Sequence, residues 1–160
     1  GSIETFQETA RRTRLRAVTK VTKFETVIAD ECFAAKSGFS VGDELWSIER
    51  VRYLDGKALI LDVNYFLKEF VPGLTPQIAA SSIYDYIENT LGMQIITSKR
   101  RMTVEHATAR DEKLLDMGTY GCVAVVVNQT FNAAGLQFEY TQSRHQPDYF
   151  CFQDIATRKK

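Results

Sequence analysis

Arg50 and Arg52 are the residues in this chain whose type and spacing first suggest chemistry. They lie in Leu45 to Tyr53, where the even positions read Trp46, Ile48, Arg50 and Arg52. In an extended strand those positions share one face, so an apolar face runs into two guanidiniums. A cation on a core-directed register is costly unless an anion meets it. The forked donors of Arg match carboxylate or phosphate. Two explanations stay open at this point. Either the pair holds an anionic ligand, or the two side chains meet the protein's own carboxylates or twist out to solvent.

The following segment decides what joins that face. Leu59 to Phe66 reads as a second strand, reached across Leu54-Asp55-Gly56-Lys57, a hairpin signal. A two-residue Asp-Gly turn would pair Leu54 with Lys57 and set Leu61 and Val63 beside the arginines. A three-residue turn with Gly56 left-handed shifts the register by one and sets Ile60, Asp62 and Asn64 there. The second register is preferred. It gathers one polar surface and leaves Leu59, Leu61, Val63 and Tyr65 as an apolar face. Near the chain end Gln137, Glu139, Thr141, Ser143 and His145 alternate with Leu136, Phe138 and Tyr140. Neutral hydrogen-bonding groups and one carboxylate suit a polyhydroxylated ligand such as a sugar, and equally suit a solvated strand.

Other chemistries fail on inventory. The two histidines, His106 and His145, have no metal-ligand spacing, and no metal site is expected. No phosphate-cradling glycine motif and no GxSxG occurs, so no cofactor and no enzymatic activity is expected. Ser143 and His145 could face one side, but no oxyanion or nucleophile-elbow signature accompanies them. Cys32, Cys122 and Cys151 are odd in number and widely spaced. That argues against a disulfide framework and fits a reducing cytosol, so the expected location is cytoplasmic.

The elements that must position these residues can be read in outline. Gly1-Ser2 has the look of a tag remnant. Thr5 to about Arg16 reads as a helix with Phe6, Ala10 and Leu15 on one stripe. Residues 1–24 carry six basic against two acidic side chains, either a solvated face or an end that adjoins something meeting phosphates. Val18 to Ile28 has strand composition. Asp30 to Lys36 reads as a short helix closed at Gly38, and Thr75-Pro76 starts another. Ser81 or Ser82 caps a longer one, Ile83 to Leu91. Met93 to Glu105 reads as a strand, Thr108 to Met117 as a capped helix. Cys122 to Phe131 and Leu136 to His145 form a second hairpin, and Phe150 to Ile155 a last short strand. Strands arriving in hairpins imply an antiparallel sheet with packed helices, an α+β domain.

At 160 residues and 18.2 kDa, with 44% apolar and 25% charged residues, the chain fits a single globular domain. The run Cys122 to Val127 is far short of a membrane span, and no membrane association is expected. Twenty basic and twenty acidic side chains cancel. A free-standing nucleic-acid binder carries a basic excess, so sequence-specific DNA binding by this domain alone is not expected.

The stretch Asp55-Gly-Lys-Ala-Leu-Ile-Leu-Asp62, preceded by Arg50-Val-Arg52-Tyr and followed by Ser82-Ile-Tyr84-Asp-Tyr-Ile87, resembles the UTRA effector domain of the HutC subfamily of GntR transcription regulators. Phe138-Glu-Tyr-Thr-Gln-Ser-Arg-His145 and Tyr149-Phe150-Cys-Phe152 are similar to that family's closing strands. The resemblance covers about residues 4–158. Within the subfamily it is strongest to the trehalose-operon repressors, carried by Ile60 to Phe66, Ser82 to Glu88 and Tyr140 to His145. The resemblance implies a chorismate-lyase-like α+β fold, residues 3–160 forming one sensor domain without catalysis. It implies homodimers, and operator DNA bound through a winged helix-turn-helix domain that precedes the sensor and is absent from this chain. It implies a phosphorylated sugar effector, trehalose 6-phosphate first, with glucosamine or N-acetylglucosamine 6-phosphate, or a lyase-type enzyme of the same fold, as alternatives. By the same resemblance Arg50, Arg52, Ser82 and Tyr84 hold the phosphate, and Asp62, Glu139, His145 and Phe6 surround the sugar. Relatives often have Glu at Asp62 and Tyr at His145. Where they offer Ser or Thr after Phe6, this chain has Gln7, and Thr5 is the alternative contact.

Overall fold

The computed structural model describes residues 6–148 and 150–159. Gly1-Ser2, Thr5 and the side chain of Gln7, on which expectations fell, lie outside the described residues. Helix α1 (Phe6–Thr13) leads into β1 (Ala17–Ile28), α2 (Glu31–Ser37), β2 (Glu44–Leu54) and β3 (Lys57–Leu67). Two short helices follow, α3 (Pro76–Ala80) and α4 (Ile83–Asp85), then β4 (Ile95–His106), α5 (Ala109–Leu114), β5 (Cys122–Asn132) and β6 (Gln137–His145). The strands form one antiparallel sheet in the order β1-β2-β3-β6-β5-β4. The α+β architecture expected from the hairpins is the one observed.

Local chemistry sets the helix boundaries. The Asp30 side chain accepts the Phe33 N–H at 2.8 Å, and Gly38 ends α2 at φ +86°. The positive φ favours glycine there; a Cβ would also come within 2.6 Å of Gln137 Oε1, the mobile end of a side chain that would have to shift. Thr75 caps α3, Ser82 caps α4, and Thr108 with Asp111 forms a reciprocal capping box on α5. One sheet face is covered by α3 and α4, whose Ala79 and Ile83, with Ile87 just beyond, pack on Ile48, Phe66 and Phe138. The opposite face packs Val51, Leu61, Val123 and Val125 on Leu115 and Met117, and Leu45 and Tyr140 on Ala29 and Phe39.

Five expectations are corrected. The Asp55-Gly56 turn has two residues, both left-handed (φ 46° and 80°), and Leu54 pairs Lys57. The register shift expected from a longer turn comes instead from a bulge between Arg52 and Tyr53. Arg50 therefore faces Asp62 and Arg52 faces Ile60, the preferred register, but by another route. Leu59 is the bulged residue and packs with Ala10 and Leu54 rather than beside Leu61. The Ile83–Leu91 helix is one α turn that widens into a π turn over Tyr86–Thr90. Helix α5 stops at Leu114. Residues 150–159 contain no strand, because β6 is paired on both sides and offers the departing chain no free edge.

Candidate functional site: a cavity on the helical face

All eight residues expected at the site line one cavity of about 750 Å³, within the range of small-molecule sites. Its floor is the sheet. Phe6 of α1, Ser81 and Ser82 before α4, Tyr84 within it, and Phe150 to Gln153 of the tail border it. The two arginines are held differently. The buried Arg52 donates from Nε to Asp62 Oδ2 at 2.8 Å and from Nη1 to Thr19 Oγ1 at 3.1 Å. Its guanidinium lies over the Phe6 ring, 4.8 Å from the centroid, a cation–π arrangement. Arg50, 5% exposed, donates from Nε to Asn64 Oδ1 at 2.9 Å and from Nη1 to the Ala79 carbonyl at 3.3 Å. Both of these acceptors are neutral. Burial first, and then Arg52, push the Arg50 pKa down to about 9 against the pull of Asp62 and Glu139.

The carboxylates diverge in the same way. Burial pushes Asp62 up, but Arg52, Arg50 and the Ser143 hydroxyl outweigh it and hold the carboxyl below its ordinary value. Glu139 is raised by burial, which the hydroxyls of Thr141 and Tyr84 only partly oppose. Tyr84 donates to Glu139 Oε1, and burial and that carboxylate raise its own pKa. Asn64 links the two halves, accepting from Arg50 and donating to Thr141 Oγ1 at 2.9 Å. Burial lowers the pKa of His145, whose ring packs against Phe150 at 4.9 Å between centroids. Ser143 donates to Asp62 at 2.6 Å rather than to His145, so the two do not form a nucleophile–base pair.

Ser82 lines the cavity while its hydroxyl accepts the Asp85 N–H at 3.2 Å. Tyr84, expected with the phosphate-binding group, lines the same cavity as Arg50, Arg52 and Ser82, and its hydroxyl donates to Glu139. Sequence reasoning missed the far wall: Ser98, Arg100 and Met102 of β4, and Val126 and Asn128 of β5. It also missed the tail as a wall. The alternation of Ser98, Arg100 and Met102 was the available signal. Among the described residues no group of three or more His, Cys, Asp or Glu side chains is placed to hold a metal. No helix of the described residues is long and apolar enough to cross a membrane.

A twisted antiparallel sheet with a buried Arg–carboxylate cluster under flanking helices is the plan of a ligand-sensing domain, and the chain belongs to the UTRA domain family, whose model matches residues 12–151. It is an effector-binding domain of the kind found in TreR-like GntR-family transcription regulators. It is 36% identical to the HTH-type transcriptional regulator TreR of Bacillus subtilis over 160 residues, 100% of this chain and 67% of that protein. To the B. subtilis regulator GmuR it is 26% identical over 140 residues, 88% of this chain and 59% of that protein. The solved effector-binding domain of the B. subtilis trehalose repressor superposes with a TM-score of 0.78 at 38% identity, covering 89% of this chain and 99% of that one.

Proposed function

We propose that this domain is the sensor and homodimerisation module of a cytoplasmic, DNA-binding repressor, and that its effector is a phosphorylated sugar, trehalose 6-phosphate first among candidates. The observation that carries this reading is Arg50. Its guanidinium is buried at one end of the cavity, and among the described residues its hydrogen-bond acceptors are the neutral Asn64 and Ala79 oxygens. A phosphate dianion there supplies the countercharge that burial and Arg52 make favourable. The hydroxyl and amide groups of Asn64, Thr141 and Ser143, with Asp62 and Glu139, suit sugar hydroxyls. The likeness to the trehalose repressor's effector domain supports the choice of sugar.

The coupling to DNA follows from α1. Phe6 covers the Arg52 guanidinium, so a ligand that draws on this cation acts on the helix at the start of the described residues. In this reading α1 leads back to a preceding DNA-binding domain, and the effector favours the placement it binds more tightly.

A thermal-shift series tests the assignment. Trehalose 6-phosphate at a hundred times its dissociation constant should add about 2.7 kcal/mol of stability, whereas trehalose without phosphate should add far less. No phosphate should be released on prolonged incubation. Burial lowers the Arg50 pKa, so affinity should weaken rather than strengthen as pH is raised into the alkaline range. Light scattering of the same sample should give twice the 18.2 kDa chain mass. No shift with any hexose or disaccharide phosphate at millimolar concentration would remove the reading, and steady turnover would favour an enzyme.

A further inference from the structure

Four of the six residues 11–16 are arginines, in a chain whose basic and acidic side chains cancel. Arg12 lines the effector cavity. Arg11, Arg14 and Arg16 are exposed, and among the described residues no carboxylate lies within ion-pair distance of their guanidiniums. Arg11 borders a cleft shared with Glu8, Asp85 and Glu88, which offsets part of its charge. The dipole of α1 favours a cation in the last turn, where Arg11 sits. It gives no reason for Arg14 and Arg16, which lie past the helix end.

The backbone holds these two in place. The Leu15 N–H donates to the Ala10 carbonyl at 3.1 Å and the Arg14 N–H to the Arg11 carbonyl at 3.3 Å, the paired bonds of a Schellman motif. Leu15 and Ala10 share one small core. Arg14 stands where that motif takes glycine, at φ +58°. An arginine there carries a backbone cost that glycine would avoid, and an exposed side chain recovers none of it from the core. Arg16 is fastened through both backbone groups. Its N–H donates to Asp55 Oδ1 at 2.8 Å, and its carbonyl accepts the Asp55 N–H at 2.9 Å. Asp55 is the tip of the β2–β3 hairpin. Two exposed guanidiniums are thus presented, one residue apart, from an anchored backbone.

We propose that Arg14 and Arg16, flanked by Arg11, form a contact for the phosphate backbone of duplex DNA. Forked guanidiniums pair with phosphate oxygens. Such contacts supply affinity and salt dependence without reading sequence, which agrees with a neutral domain that selects no operator by itself. The surface adjoins α1, and in the reading above a DNA-binding domain precedes that helix. The arginines add a charge contact to the duplex which that domain selects. The inference takes from the repressor reading only the presence of DNA. Its test needs no effector, so its failure leaves the sensor assignment standing.

Fluorescence anisotropy of a labelled mixed-sequence duplex, titrated with the chain at several salt concentrations, tests it. At about 20 mM salt the unmodified chain should bind with a dissociation constant on the order of 100 μM or tighter. Log affinity should fall against log salt with a slope of about −2 to −3, the value for two or three phosphate contacts. The double variant Arg14→Gly, Arg16→Ser should bind about tenfold more weakly, with a slope about two units shallower. Its melting temperature should not fall, because glycine suits the left-handed position. The double variant Lys36→Ser, Lys113→Ser removes the same charge from exposed positions on α2 and α5 and should keep its affinity within about threefold. Absence of binding by the unmodified chain at low salt would overturn the proposal. Equal losses in the two double variants would overturn it too, since net charge alone would then account for the binding.

Discussion

Arg52→Ala is expected to lower the stability of the unliganded domain by about 3 kcal/mol at pH 7, and Asp62→Asn by a similar amount. Both side chains of this pair are 9% exposed, and the Nε to Oδ2 distance is 2.8 Å. Asp62 satisfies its other oxygen with the Ser143 hydroxyl, and Arg52 reaches Thr19. Removing either partner leaves a buried charge without its counterion, which costs more than the intact pair contributes. Relief of Arg50 from a like-charged neighbour offsets part of the loss in Arg52→Ala. The pH dependence has a definite sign. The Asp62 carboxyl is held below its ordinary value of 3.8, so its contribution is present above the unfolded pKa and is lost as pH falls through the folded value. Urea unfolding at pH 7 and in the acid range should show the variant's deficit shrinking on acidification. A deficit under about 1 kcal/mol at pH 7, the size expected of an exposed pair, would contradict the buried-pair assignment.

Asp111→Ala should destabilise at least as much, about 3–5 kcal/mol. Its fully buried carboxylate accepts Arg144 Nε and Nη2, each at 2.8 Å, and the Thr108 N–H at 2.8 Å. One side chain thus closes the capping box of α5 and ties that helix to β6. Without it Arg144 keeps, among the described residues, only Glu105, at 3.4 Å and partly exposed. Burial pushes the Asp111 carboxyl up, but Arg144 and the Thr108 N–H hold it below its ordinary value, so this stabilisation too disappears on acidification. Arg144 points away from the face that carries Ser143. The folded fraction of Asp111→Ala should therefore bind effector with unchanged affinity. A large affinity change at temperatures where the variant is folded would mean that the two faces are coupled.

The contrast between these carboxylates and Arg50 was only partly legible in the sequence. Alternation at Trp46, Ile48, Arg50 and Arg52 named the face, and the neighbouring hairpin named Asp62 and Asn64 as its companions. Which arginine takes the carboxylate depends on diagonal reach across the pleat, which spacing does not encode. The register at the arginines was correctly anticipated although the turn was not. A three-residue turn and a two-residue turn followed by a bulge give the same net offset, and the hydrophobic pattern reports only the offset. The spacing of Ile83, Ile87 and Leu91 likewise fits an α-helix as well as the α turn and π turn observed. The far wall was hidden for a different reason. Cys122 to Val127 is apolar on both faces, and β4, at the sheet edge, is exposed along nearly its whole length. Neither strand shows which side is inward until its partner is known.

The central claim is that Arg50 is held in the core to meet a phosphate, and one pair of titrations tests it most directly. Arg50→Met fills the position with an apolar side chain and removes a cation that burial disfavours. Lost donors to Asn64 and Ala79 oppose that gain, so the unliganded melting temperature should move little. Isothermal titration of trehalose 6-phosphate at pH 7 should then show affinity roughly ten- to a hundredfold weaker than in the unmodified domain. Affinity unchanged within about twofold, in a variant that melts normally, would contradict the account, because the buried cation would then be serving the fold and not a ligand.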